Sequence, residues 1–306
     1  MNPLRGIGLK ICSVLVFVAM AVCIKASAPH VPPGERVFFR SLFAIPVILV
    51  WLAWSGNLRH GLDTLHPMGH VWRGLVGTAG MALGFTALGL LPLPEATALG
   101  YTAPLLVVIF AAMFLGERVR AFRLSAVAVG LAGVVIVLLP RLTVGPSGAS
   151  AAETVGAMAA LLGAVCAALA QVFVRKLIST EATLAIVFYF SLTATLLSLV
   201  SLPFGWVVPT GRETLLLVSA GFFGGIGQIL LTESYRHAEA GTIAPFEYVS
   251  MLFALILGYF VFEEVPTPAM LGGATLIVAA GLFILWRERR LGLQRASARK
   301  VMTPQG

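Results

Sequence analysis

The sequence predicts an all-α integral membrane protein of ten transmembrane helices, on three observations. Of its 306 residues, 58% are hydrophobic and only 11% charged, against roughly 45–50% and 25% in a soluble domain. The apolar residues gather into long runs at 8–28, 35–54, 72–91, 95–115, 122–139, 154–174, 182–204, 214–235, 241–262 and 268–286. About 20 residues at about 1.5 Å each cross a hydrocarbon core roughly 30 Å thick, so ten spans nearly exhaust the chain and leave no room for a soluble domain. The runs are continuously apolar, whereas a β-barrel shows alternating segments of about ten residues.

The breaks are short and carry Pro, Gly, Arg and His, as in PHVPPGE, LPLP, GERVRAF and EEVPTP. Arg5, Lys10, the apolar stretch 11–24 and Ala26-Ser27-Ala28 imitate a cleavable leader, but the first span is retained because the repeat below needs it. With the N-terminus cytoplasmic, sixteen Lys and Arg fall inside and five outside, namely Lys25, Arg36, Arg40, Arg141 and Arg212. Basic residues stay inside, so both termini are expected in the cytoplasm of a bacterial-type inner membrane. The net charge of +8 therefore reports topology rather than nucleic-acid binding, and the tail from Arg287 is expected to be disordered against the anionic leaflet. Cys12, Cys23 and Cys166 lie within spans without metal-type spacing and predict neither a disulfide nor a metal site.

Sliding the chain along itself by 147 lays Gly74, Gly77, Gly80, Leu83, Tyr101, Leu105, Ile109 and Glu117 over Gly221, Gly224, Gly227, Leu230, Tyr248, Leu252, Ile256 and Glu264. A shift of 150 lays Val37, Phe38, Ser41 and Leu42 over Val187, Phe188, Ser191 and Leu192. Five spans per half is odd, so the second copy must run oppositely. This 5+5 inverted-topology repeat is the construction of many secondary carriers, with the site near the midplane between halves. The expected organisation is a first repeat over 1–140, an extracytoplasmic linker over 141–152, a second repeat over 153–287 and a basic cytoplasmic tail over 288–306.

LGERV (Leu115–Val119) closing span four, FEEVP (Phe262–Pro266) closing span nine, RVFFR (Arg36–Arg40) and GLAGVVIVL (Gly130–Leu138) together resemble the drug/metabolite transporter (DMT) superfamily, in its branch of paired EamA-type domains. The resemblance covers about residues 8 to 287. It implies a secondary transporter working by alternating access and exporting small amphipathic or zwitterionic metabolites, amino acids including aromatic ones first. Relatives carrying nucleotide-linked or cofactor-like metabolites keep a second option open, and a membrane receptor without turnover is a third. The chain is expected to act on a small molecule in contact with membrane lipid, as monomer or homodimer.

Six residues are candidates for substrate binding. Glu247 is the deepest acid, and an intramembrane charge is costly unless it faces protein, water or a partner; Pro245 leaves open that Glu247 is instead an ordinary first-turn acid. Tyr101 and Tyr248, equivalent in the repeat, offer ring faces and hydroxyls, or simply pack. Gln171 and Gln228 must face other helices or a cavity. Lys25 either snorkels outward or neutralises a substrate carboxylate, and Arg40 is expected to snorkel to the outer headgroups. Glu117 and Glu264 end spans and are read as structural. Prolines 46, 104 and 245 are expected to kink their spans and open carbonyls to a cavity. All five histidines lie in or beside loops, and neither H-E-x-x-H nor G-x-S-x-G occurs, so neither a catalytic centre nor a cofactor is expected.

Overall fold

A computed structural model describes residues 3–56, 61–115, 121–142, 150–178, 180–237 and 244–301. Its elements are α1 (Pro3–Ser27), α2 (Pro33–Leu42), α3 (Ala44–Trp54), α4 (Pro67–Leu90), α5 (Leu93–Gly100), α6 (Thr102–Leu115), α7 (Ala121–Leu142), α8 (Ala151–Leu177), α9 (Thr183–Ser198), α10 (Gly211–His237), α11 (Val249–Phe262) and α12 (Pro268–Val301). Short 3₁₀ turns follow α9 (Leu199–Phe204) and precede α11 (Ala244–Tyr248). Among the described residues there is no strand. Among the described residues eight segments are long and apolar enough to cross a membrane, and Phe246–Phe262 and Pro268–Ile284 are shorter apolar helices. Together they account for the ten runs.

Prolines explain why, among the described residues, twelve helices make ten segments. A proline cannot donate to the carbonyl four residues back and collides with it. Pro46 thus frees the Leu42 carbonyl, and α2 ends at Leu42. Pro104 frees the Gly100 carbonyl, and α5 ends at Gly100. The tail corrects an expectation, because α12 runs on to Val301 rather than ending near residue 287. WRERRLGLQRASARK is rich in Arg, Leu, Gln, Ala and Lys, which favour the helix on their own.

α1 packs along α10, α4 along α8, α7 along α12 and α2 along α9. Glycines set the closest approaches. At the α7–α12 crossing, a Cβ on Gly133 would stand 2.7 Å from the Gly273 carbonyl oxygen, and one on Gly273 would stand 2.5 Å from that of Gly133. Gly80 meets the Ala167 backbone in the same way. The main apolar core gathers Leu99, Tyr101, Leu105, Val134, Ala157, Met251 and Ile277 from six helices. At the end where α1 begins (the proximal side; α1 ends on the distal side), Glu181 anchors the loop before α4. Its carboxylate accepts hydrogen bonds from the Leu65 and His66 amides, each 2.9 Å, and from the Thr64 hydroxyl at 3.1 Å.

Candidate functional site

Two broken spans meet at the tyrosines. Tyr101 closes α5, its amide donating to the Thr97 and Ala98 carbonyls at 3.2 Å. Tyr248 ends the 3₁₀ turn and caps α11. Their rings pack edge to face, 5.1 Å between centroids at 74°. The Tyr101 hydroxyl lies 2.6 Å from Ser250 Oγ and 3.4 Å from the Glu247 carbonyl oxygen, to which Ser250 donates at 2.6 Å. These bonds satisfy a carbonyl released at the break, a requirement for irregular backbone at membrane depth. Gly281 of α12 lies so close to the Tyr248 hydroxyl that no side chain fits there.

Glu247 stands in the 3₁₀ turn, so Pro245 opens a tight turn and the regular helix begins two residues after the glutamate. Its carboxylate pairs with Lys10 of α1. Lys10 is 3% exposed at its side chain while Glu247 is 46% exposed, so the pair joins a buried cation to an acid open to solvent. One turn further along α1, the buried Ser13 hydroxyl donates to the Gly227 carbonyl at 2.9 Å, fixing α1 to α10. Sequence reasoning missed Lys10, which counted as an ordinary cytoplasmic basic residue. Its signal was a lysine two turns inside the first apolar helix.

A second ion pair joins the same two segments at the distal end, roughly 22 Å away along α1 at about 1.5 Å per residue. Lys25 Nζ lies 2.8 Å from Glu264 Oε1, and donates to the Leu91 and Leu88 carbonyls at 2.6 and 3.2 Å. Glu264 also accepts the Leu93 amide at 2.7 Å. The acid is aimed by its neighbour. Glu263 takes a left-handed conformation (φ 56°) that stops α11, and the Glu264 amide then reaches back to the Gly258 carbonyl at 2.9 Å. Such a cap is normally a glycine's. Lys25 thus neither snorkels nor stands free.

Of the six candidates, Tyr101, Tyr248 and Glu247 come together and Lys25 lies at the far end of the same helix pair. Gln171 is exposed on α8 and Gln228 half-buried on α10; among the described residues no side-chain hydrogen bond ties either to the tyrosines. Glu117 lies outside the described residues. Arg40 does not snorkel. It is 3% exposed, facing the Phe190 ring of α9 and the Gly224 carbonyl of α10. Arg73 of α4, expected at the inner surface, is 5% exposed, with its guanidinium carbon 3.4 Å from the centroid of that ring. α2 is half apolar, and its basic face turns into the bundle because α4, α9 and α10 surround it.

No grouping of three or more His, Cys, Asp or Glu suited to a metal occurs among the described residues. A site with charges of both signs, paired aromatic rings and broken helices, set between spans of a membrane bundle, is that of a helical membrane carrier. The chain belongs to the EamA-like transporter family, whose profile matches twice, over residues 4–139 and 154–286. The pseudopaline exporter CntI of Pseudomonas aeruginosa is 34% identical over 90% of this chain and 94% of its own length. The S-adenosylmethionine uptake transporter of Rickettsia bellii is 29% identical over 93% and 94%. The riboflavin transporter of Rhizobium johnstonii is 28% identical over 85% and 83%. A crystal structure covering 94% of this chain and 98% of its own superposes with a TM-score of 0.67 at 25% identity. Family and relatives are transporters, not enzymes.

Proposed function

We propose that this membrane transporter is a secondary carrier that exports small zwitterionic or amphipathic metabolites, amino acids including aromatic ones first, by alternating access. The observation that carries the reading is the Lys10–Glu247 pair, half open to solvent, beside the Tyr101–Tyr248 ring pair. A buried ammonium and an accessible carboxylate complement a zwitterion, and the rings offer faces to an aromatic side chain. Tyr101, Tyr248, Glu247 and Lys10 form the site in this reading, Gln171 and Gln228 line the path on α8 and α10, and Lys25 closes its distal end with Glu264.

An inverted 5+5 architecture is part of the proposal. Exchanging the halves turns the α1–α10 packing into the α8–α4 packing, and both are extensive. It also turns the contact of Arg40 with Gly224 into that of Phe190 with Gly77. Both support the repeat, as does the double family match. The basic-residue count supports cytoplasmic termini in a bacterial-type inner membrane, the proximal side facing inward. Monomer and homodimer both fit.

A second reading, cofactor-like or nucleotide-linked cargo, is favoured by the S-adenosylmethionine and riboflavin named for two relatives. Counterflow in proteoliposomes decides. Vesicles preloaded with unlabelled phenylalanine or tryptophan are expected to accumulate the labelled compound several-fold above empty vesicles. Exchange of S-adenosylmethionine or riboflavin alone would replace the first reading with the second, and no exchange of any would leave a receptor without turnover.

A further inference from the structure

Arg40 and Arg73 are used by nothing described so far. They come from α2 and α4 and share the Phe190 ring of α9, their guanidinium carbons 5.7 and 3.4 Å from its centroid. Each guanidinium holds its charge and five N–H donors. Nε and Nη1 of both arginines are buried without a hydrogen-bond acceptor. Among the described residues no carboxylate pairs with either. The acids that line the bundle are engaged elsewhere: Glu35 with the Val207 amide, Glu95 with Arg141, Glu181 with the loop before α4, Glu247 with Lys10 and Glu264 with Lys25.

Two cations without a carboxylate partner at membrane depth are costly to bury, and they repel one another in a low dielectric around one ring. The ring face returns only part of that cost to a desolvated cation. Glycines are what let the groups come so near. A Cβ at Gly224 would stand 2.6 Å from Arg40 Nε, and one at Gly77 would stand 2.8 Å from Phe190 Cε2 and 3.2 Å from Arg73 Nη1. The packing is therefore arranged to hold both guanidiniums inside, and what would balance them is negative charge from outside the chain.

We propose that Arg40 and Arg73 form a binding site for a small oxyanion, in the first place the carboxylate of the transported metabolite, with the Phe190 ring as a shared apolar wall. Guanidinium forks match carboxylate oxygens pairwise and outdo neutral donors about twofold in strength. The carboxylate source rests on the carrier reading above, whereas the oxyanion site itself does not. In the repeat register Phe190 stands where Arg40 stands in the other half, so the site belongs to one half and gives a transported anion a fixed orientation.

The test uses the full-length protein in lipid nanodiscs in Tris chloride buffer, which contains no oxyanion. Sodium acetate and inorganic phosphate are titrated separately while the melting temperature is followed. Acetate is expected to raise it saturably, and Arg40→Gln and Arg73→Gln each to abolish the rise. Arg73→Lys keeps the charge but loses the fork, and is expected to fold and to need at least tenfold more acetate; it keeps the test decisive should the glutamine variants not fold. A wild-type protein indifferent to acetate and phosphate overturns the proposal, as does a response undiminished in all three variants. Phenylalanine and phenethylamine, which lacks the carboxylate, then separate the sources: displacement of acetate by phenylalanine alone assigns the site to cargo, and displacement by neither assigns it to a free anion. Acetate binding that persists while every counterflow assay fails would sink the carrier reading and leave the oxyanion site standing.

Discussion

The two ion pairs that tie α1 to the ninth span use the same residue types and differ in everything around them. Lys25 and Glu264 are 11% and 15% exposed at their side chains, and carbonyls from α4 and the α4–α5 turn and an amide of α5 complete their coordination. Lys10 is more buried than either, but its acid stands half exposed on a 3₁₀ turn. One pair is a seal in which four segments converge, and the other is a joint with one member accessible. On the proposed alternating-access reading the two ends of the path must differ at any moment, and the two pairs differ in the exposure of the acid and in the backbone groups around the lysine.

Breaking the seal should have the largest effect. Glu264→Gln leaves Lys25 buried without its counter-charge and is expected to cost about 3–5 kcal/mol, read as a fall in melting temperature; a loss under about 1 kcal/mol would mean that the distal end is no tighter than the proximal one. Glu247→Gln also leaves Lys10 buried without its counter-charge, but the acid is half exposed and already screened by water, so the cost is expected to be smaller, about 1–2 kcal/mol. A half-exposed carboxylate in the bundle is also a candidate proton site, so the variant should alter the pH dependence of flux in vesicles, and an unchanged profile would rule that role out. Glu181 supplies a third comparison, an acid held mainly by neutral donors. Burial pushes its carboxyl up, but the amides of Leu65 and His66, the Thr64 hydroxyl and His70 outweigh this and hold it below the usual carboxylate range. A depressed carboxyl contributes stability that is present above the unfolded value of about 4.3 and is lost as pH falls through the folded value. Glu181→Gln should therefore lower the melting temperature slightly at pH 7 and flatten its decline below about pH 4; parallel curves for the two proteins would discount the loop anchor.

The helical architecture was legible because hydrocarbon demands about twenty apolar residues per crossing, and the breaks because Pro46 and Pro104 act on carbonyls four residues back. The tyrosine pair could be found through its repeat register. Lys10, Arg40 and Arg73 could not, for a common reason. Each lies within two turns of a span end, where the same residue can reach headgroups or turn inward, and only the neighbours of its helix decide. Counting charge by side placed all three at the surface. Arg40 and Arg73 instead point at one ring, a fact held in the packing of α2 and α4 against α9. The tail departed from expectation for a local reason, since its composition favours helix whatever the charge.

The break at Tyr101 has a mechanical meaning. An intact helix bends by stretching its ladder of hydrogen bonds, so its stiffness is shared along its length and a push at one end is spread thin. In the span formed by α5 and α6, one rung is already gone at Pro104, and the Tyr101 hydroxyl ties the gap to the opposite half through Ser250. The span behaves as two rigid rods about a pin, and the pin is set in the other half of the molecule. A displacement of α11 is then delivered to α5 and α6 as a change of angle.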